Sequence, residues 1–370
     1  MERCINMTTL YAYNPARVQL QSTPDVVRWK NINRIINDNI SFIDRTGFIK
    51  LPVDAGVPAS MHLPKYDSSF GLSYTECCQL QVRRILKQQE RLDKPIRLMY
   101  SGGIDSSMVL LSFINELGVE QLGTRLEIAM SSLSIDENPA MWEKVLRRSD
   151  IKLINSLEFN QGVCNDYILV GGEFNDQLFG SAMIKSLLKW KPASELLAPR
   201  SLSLLIEYFI WVGLDQRESE RWANLFYGLA DRAGFEIYST WDVFWWLNFT
   251  CKWTSVYFRF LIFSPAQELN EQYLNDNYIQ FFGTTEFQQW SMNDRDHKHH
   301  GTWNSYKWYP RQLISQFLKD KSYLEKAKRG SLYHVVRGRK SNDAIDRNSN
   351  FVNLSTIDSS LIYNPNNSFV

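Results

Sequence analysis

The chain has little cysteine, little histidine and almost no net charge, and each shortage closes off a class of function. Five cysteines (Cys4, Cys77, Cys78, Cys164 and Cys251) and five histidines are spread over 370 residues. No two cysteines form a CxxC pair and no Cys/His cluster has zinc spacing, so a structural zinc site is not expected. An odd, scattered set of thiols reads as reduced and intracellular, which makes a cytoplasmic location the expectation. His297, His299 and His300 lie together in a charged stretch that reads as a solvated loop. The 41 basic and 40 acidic residues leave a formal charge of +1. That balance gives no overall pull towards nucleic acid or a membrane surface. Residues 1–30 carry no apolar core behind a basic start, so no signal peptide is expected. The richest apolar stretch, Trp241 to Phe263, is broken by Asp242, Asn248, Lys252 and Arg259. It reads as a buried helix pair, not a membrane span.

What the chain does have is core material: 44% hydrophobic and 14% aromatic residues, enough for a globular protein with a sizeable interior. From Thr75 to Arg91 apolar residues recur at helical spacing. An alternating rhythm follows. Strands are expected at Ile96 to Tyr100, Leu126 to Met130, Ile151 to Leu157 and Tyr167 to Val170. Helices are expected from Val109 to a stop at Gly118, and from Pro139 to Arg148. This rhythm predicts an α/β fold, a parallel sheet flanked by helices, with a mostly helical C-terminal part from about Leu187 to Gln316. Ligands of such sheets sit beyond the carboxyl ends of the strands, where both glycine pairs, Gly102-Gly103 and Gly171-Gly172, fall.

Ser101-Gly102-Gly103-Ile104-Asp105-Ser106-Ser107 joins the first of these strands to a helix. Gly102 and Gly103 let the backbone approach phosphate oxygens, and the amides of the first helical turn add a positive end. Ser101, Ser106 and Ser107 offer hydroxyl donors to the same oxygens. Asp105 would repel phosphate unless a cation stood between them, so it reads as a magnesium ligand. The loop lacks the Gly-Lys-Ser/Thr of a Walker A motif.

The loop resembles the PP-loop, Ser-Gly-Gly-x-Asp-Ser, of the N-type ATP pyrophosphatases, a superfamily that includes asparagine synthetase, GMP synthetase, NAD synthetase and tRNA-lysidine synthetase. A second run, Leu169-Val170-Gly171-Gly172-Glu173-Phe174-Asn175-Asp176-Gln177-Leu178-Phe179-Gly180, resembles the Ser-Gly-Glu-Gly-x-Asp-Glu-x-Phe-Gly-Gly signature of the asparagine synthetase C-terminal domain. The resemblance implies an adenine nucleotide α-hydrolase-like fold that binds ATP and magnesium, adenylates a carboxylate and releases pyrophosphate. It implies that Asp176 joins Asp105 on magnesium, and that Glu173 sits by the reacting carboxyl group and amine. Two carboxylates around one magnesium offset a triphosphate's charge, and a third can orient the amine or take its proton. Tyr100 and Met130 match positions that flank the adenine, and Lys328 matches a lysine that steadies charge developing during adenylation. Lys326 takes the place of the arginine in the family's Arg-x-Lys, and Lys307 to Arg311 resembles its Lys-x-x-x-Arg helix. Three departures stand out: Gly171 for Ser, Phe174 for Gly and Gln177 for the second acid. Phe174 is expected to reshape the acceptor pocket and Gln177 to weaken metal binding.

The expected organisation is an N-terminal region at 1–92, a synthetase-like domain at 93–335 and a polar tail at 336–370. Residues 1–92 leave no room for a glutaminase domain and put no cysteine directly after Met1, so they are expected to cover the sheet or form a dimer contact. Nitrogen should then come from ammonia or an amine, as in related enzymes that close β-lactams or lasso peptides. The leading expectation is an ATP-dependent, AMP-forming ligase for a small-molecule or peptide carboxylate. Two others stay open. One is nucleobase modification, using a basic groove of Lys326, Lys328, Arg329, Arg337, Arg339 and Lys340. The other is a degenerate fold kept as a binding or assembly module.

Overall fold

The computed structural model describes residues 44–49, 63–156, 163–259, 271–298 and 306–326, with single positions between 24 and 32 and at 302. Helix α1 (Tyr74–Leu92) starts at a Ser73/Glu76 capping box and leads into strand β1 (Ile96–Met99). The chain continues through α2 (Ile104–Leu117), β2 (Leu126–Met130), α3 (Ser132–Glu137), α4 (Pro139–Lys144), β3 (Lys152–Asn155) and β4 (Ile168–Gly171). Gly118 ends α2 at φ +76°, the left-handed conformation that favours glycine at a helix stop.

The five strands form one parallel sheet in the order β3-β2-β1-β4-β5, β5 being Tyr278–Gln280. Leu98 of β1 stands between Ile128 of β2 and Val170 of β4. Both β2 and β4 are buried along their whole length, as expected for strands covered on two faces. Each apolar side chain removed from water there contributes about 1.5–3 kcal/mol. The chain runs outward from β1 to β2 and β3, then crosses back to place β4 on β1's other side. Strand order therefore reverses between β1 and β4. The crevice outside their carboxyl ends is the natural ligand site of a sheet wound this way.

The expected strands and the α1, α2 and α4 helices are present, with α4 shortened to Lys144 and continued by a 3-10 turn, Leu146–Arg148. Besides a 3-10 turn at Val119–Gln121 and a short helix at Leu122–Arg125, two unexpected elements bear on the site. Helix α3 is a serine-rich segment with no apolar period. β5 spans three residues inside the otherwise helical second half.

That half comprises α5 (Asn175–Phe179), α6 (Ser181–Trp190), α7 (Leu202–Trp211), α8 (Gln216–Asp231), α9 (Thr240–Cys251), α10 (Trp253–Arg259), α11 (Glu271–Asn277), α12 (Thr285–Asn293) and α13 (Trp308–Leu318). Every residue of α9 is buried, so it is a core helix on all sides. Trp245 of α9 donates its indole N–H to the carbonyl of Leu178 in α5 at 2.9 Å. The aromatic core thus holds the helix that follows β4. Residues 44–49 belong to the same core. Arg45 is buried, lies over the rings of Phe249 and Trp253, and donates to Gln288 Oε1 at 2.7 Å. Among the described residues no helix is long and apolar enough to cross a membrane, and Cys77, Cys78, Cys164 and Cys251 are buried free thiols.

Candidate active site

The loop after β1 satisfies much of its own hydrogen bonding. Ser106 Oγ accepts from the Ser101 N–H at 3.1 Å and donates to the Gly103 carbonyl at 3.3 Å. Ser101 Oγ accepts from the Gly103 N–H at 3.3 Å, and Ser107 Oγ donates to the Gly102 carbonyl at 3.3 Å. Gly102 has φ +74°, and a Cβ there would lie 2.2 Å from the Ser134 carbonyl oxygen. Helix α3 therefore packs on the loop at a point where only glycine fits. Gly103 is the N-cap of α2 and has no side chain to cap it, so first-turn amides remain for an anion.

The loop after β4 meets the first one directly. A Cβ on Gly172 would lie 3.2 Å from the Asp105 carbonyl carbon, so the glycine permits this approach. Gly171 lies against Gln280 of β5, whose Oε1 accepts from the Glu173 N–H at 3.3 Å. Two carboxylates then converge on one ammonium. Lys307 Nζ lies 2.5 Å from Asp105 Oδ1 and 2.6 Å from Asp176 Oδ1, with 1% of the lysine side chain exposed. The Tyr306 hydroxyl donates to Asp176 Oδ1 at 3.3 Å. Lys307 takes φ +58° at the start of α13. That region costs a side-chain-bearing residue about 1–2 kcal/mol relative to a right-handed one, and such strain gathers at functional sites.

The pair Asp105 and Asp176 is thus brought together, and Lys307, placed above only within a helix resemblance, joins it. Its partners lie 202 and 131 positions away in the sequence, so no local pattern marks it. Tyr100 and Met130 are both buried, and the Tyr100 hydroxyl is 3.5 Å from Ser107 Oγ. Phe174 lies in the core, stacked on Trp253 at 4.2 Å, so its ring does not face an open acceptor pocket. Gln177 is likewise buried, and its Oε1 has no partner among the described residues. An amide there avoids the cost of burying a second acid's charge.

No protein-family model, curated protein or solved structure matches the chain. The site is therefore read from its own chemistry. Among the described residues no group of three or more His, Cys, Asp and Glu side chains converges as a metal cage. A pair of carboxylates already gripping a buried cation still suits magnesium, which is commonly held by one or two carboxylates together with substrate phosphates.

Arg311 of α13 donates to the carbonyls of Tyr306, Tyr323 and Lys326 at 2.9, 3.2 and 2.9 Å. It ties residues 323–326 beside the first loop as a structural arginine. Lys326 Nζ donates to the Glu137 carbonyl at 2.6 Å. A cavity of about 540 Å³ opens there, lined by Asn138, Trp308, Tyr323 and Lys326 among others. Asn138 Nδ2 donates to Ser107 Oγ at 3.1 Å, so the cavity's wall reaches the first glycine loop. His297 is exposed and pairs with Asp294 at 2.6 Å. Cys4, Lys328, His299, His300 and the tail at 336–370 lie outside the described residues, as do Arg329, Arg337, Arg339 and Lys340.

Proposed function

We propose that this protein is an ATP-dependent, AMP-forming ligase of the asparagine synthetase type, joining a carboxylate to ammonia or an amine on an adenine nucleotide α-hydrolase-like sheet. The observation that carries this reading is the convergence of Asp105 and Asp176, one from each glycine loop, on the buried ammonium of Lys307. The loops follow the two strands that flank the sheet's switch point, and the strained backbone of Lys307 is consistent with a lysine kept for its charge.

In this reading ATP lays its phosphates on the amides of Gly103 to Ser106, takes over the hydroxyls of Ser106 and Ser107 from the loop's own carbonyls, and draws the Ser101 hydroxyl away from the Gly103 N–H. Asp105 and Asp176 would hold magnesium, which would offset the charge of the triphosphate. Lys307, freed from the carboxylates, would turn its ammonium to the phosphates. The substrate carboxylate attacks the α-phosphorus and pyrophosphate leaves, its developing charge met by loop amides and cationic side chains, with Lys328 assigned to that role by the resemblance. Glu173 orients the amine or takes its proton as the acyl group is transferred and AMP departs. The cavity beside Ser107 gives room for the second substrate.

Incubating the full chain with ATP, magnesium and a metabolite extract, followed by mass spectrometry, tests this. The expected products are AMP, pyrophosphate and a new amide, and ADP with phosphate would end the reading. The same lysine contact favours one alternative, a binding or assembly module in which Lys307 permanently replaces the metal. Such a module would leave ATP uncleaved and unbound.

A further inference from the structure

Asn175 occupies the position the second signature leaves open, yet it is fully buried and bonded at both ends of its amide. Its Nδ2 donates to Asp105 Oδ1 at 2.8 Å, and its Oδ1 accepts from the Tyr74 hydroxyl at 3.0 Å. We propose that Tyr74 and Asn175 form a positioning relay that fixes the Asp105 carboxylate for cation binding, so that α1 takes part in building the site. This rests on the magnesium role given to Asp105 above.

The direction of the relay follows from donor and acceptor chemistry. An ionised carboxylate only accepts, so the Asn175 amide must turn its NH₂ to Asp105 and its oxygen the other way. That oxygen then needs a donor, and the Tyr74 hydroxyl is the one it has. Burial pushes the Tyr74 phenol well above its usual range, so it remains an O–H donor. The ring itself cannot drift. Tyr74 is fully buried among Phe179, Phe282, Phe287, Trp290 and Tyr309. A rigid aromatic cluster therefore sets the hydroxyl, the hydroxyl sets the amide, and the amide sets the carboxylate.

Both donors on Asp105, Asn175 and Lys307, fall on Oδ1. Among the described residues Oδ2 takes no hydrogen bond, which makes it the oxygen offered to an incoming cation. When a cation takes the place of the lysine ammonium, the Asn175 bond is the one that still holds the rotamer. Among the described residues Asp176 faces Asp105 across Lys307, and Tyr323 and Arg311 act on it electrostatically and supply no hydrogen bond to it.

Two measurements on the full chain decide this. The first is a pair of nucleotide-free crystal structures in which Lys307→Met removes the other contact to Asp105 Oδ1, one keeping Asn175 and one carrying Asn175→Ala. The expected result is one Asp105 rotamer where Asn175 is kept and a shifted or split carboxylate where it is replaced, and an unmoved carboxylate overturns the relay. This outcome does not depend on ATP binding, so it stands apart from any failure of the proposed function. The second is calorimetric titration with ATP at several magnesium concentrations. Asn175→Ala should need roughly tenfold more magnesium while ATP affinity at saturating magnesium stays as in the wild type, whereas a merely structural loss weakens binding at every magnesium concentration. Tyr74→Phe, which keeps the ring in its cluster, should show the same magnesium-selective loss to a smaller degree. A variant series that keeps the wild-type magnesium dependence contradicts the relay.

Discussion

The two glycine loops stand side by side but are held in opposite ways. In the first, Ser101, Ser106 and Ser107 bond backbone groups no more than five residues away. In the second, Glu173, Asn175 and Asp176 reach Gln280, Tyr74 and Tyr306, which are 107, 101 and 130 residues distant. One is a loop whose serine hydroxyls close on its own backbone, with α3 and Asn138 packed against it. The other is where the rest of the molecule fastens onto the site. Lys307 bridges them, bonding one carboxylate of each. Damage to the first loop should therefore be local, and damage to the second should be reproducible from far away.

The largest effect is expected at the bridge's acidic side. Asp105→Asn removes a charge from the proposed cation site, and ATP turnover should fall by several kcal/mol of transition-state stabilisation, roughly 10³-fold or more. Product analysis reads this directly, and unchanged turnover would break the assignment. Next is Lys307→Met, which leaves Asp105 and Asp176 facing each other without a cation. Both carboxylates are partly exposed, so we expect about 2–3 kcal/mol of lost stability, below the roughly 3–5 kcal/mol of a fully buried pair. Thermal melts should show magnesium restoring much of that loss without nucleotide, and a variant indifferent to magnesium would refute the cation-site reading.

Gly102→Ala tests the local loop. Its Cβ would face a backbone oxygen at 2.2 Å from a left-handed φ, so a cost of about 2–3 kcal/mol is expected. Melting should detect it, with nucleotide binding lost and the Asp176–Lys307 contact kept.

The smallest effect probes the second loop's remote support. Lys298 lies over the Trp245 ring, 3.5 Å from its centroid, and donates to the Ser291 carbonyl. Trp245 and Ser291 both donate to Leu178 of the second loop's helix. Burial pushes the Lys298 ammonium from its ordinary 10.5 down to about 7, against the pull of Asp242 and Asp294. Between those values the unfolded chain binds the extra proton, so this group's effect on stability improves as pH rises from about 7 towards 10. Denaturation of wild type against Lys298→Met should show a difference that grows by about 1 kcal/mol between pH 7 and pH 8. A pH-independent difference would contradict it.

This contrast also explains what could be read from the residues alone. The Ser101 to Ser107 loop, β2 and the stop at Gly118 were legible because their determinants are neighbours in sequence. Helix α3 was not. Its Ser-Leu-Ser-Ile-Asp-Glu run has no apolar period, and it packs onto Gly102 through tertiary contact. Lys307 and Asn175 were illegible as site residues for the same reason, since their partners stand on separate elements. Phe174 looked like a pocket residue by its place in the motif, but its ring lies against Trp253 in the core.

The central claim is that both loops and their bridging lysine form one magnesium–nucleotide site. Calorimetric titration of the full chain with ATP, with and without magnesium, tests it most directly. The expected result is one nucleotide bound per chain, dependent on magnesium and lost in Asp176→Asn. No binding, or binding that ignores both the metal and that substitution, would contradict it.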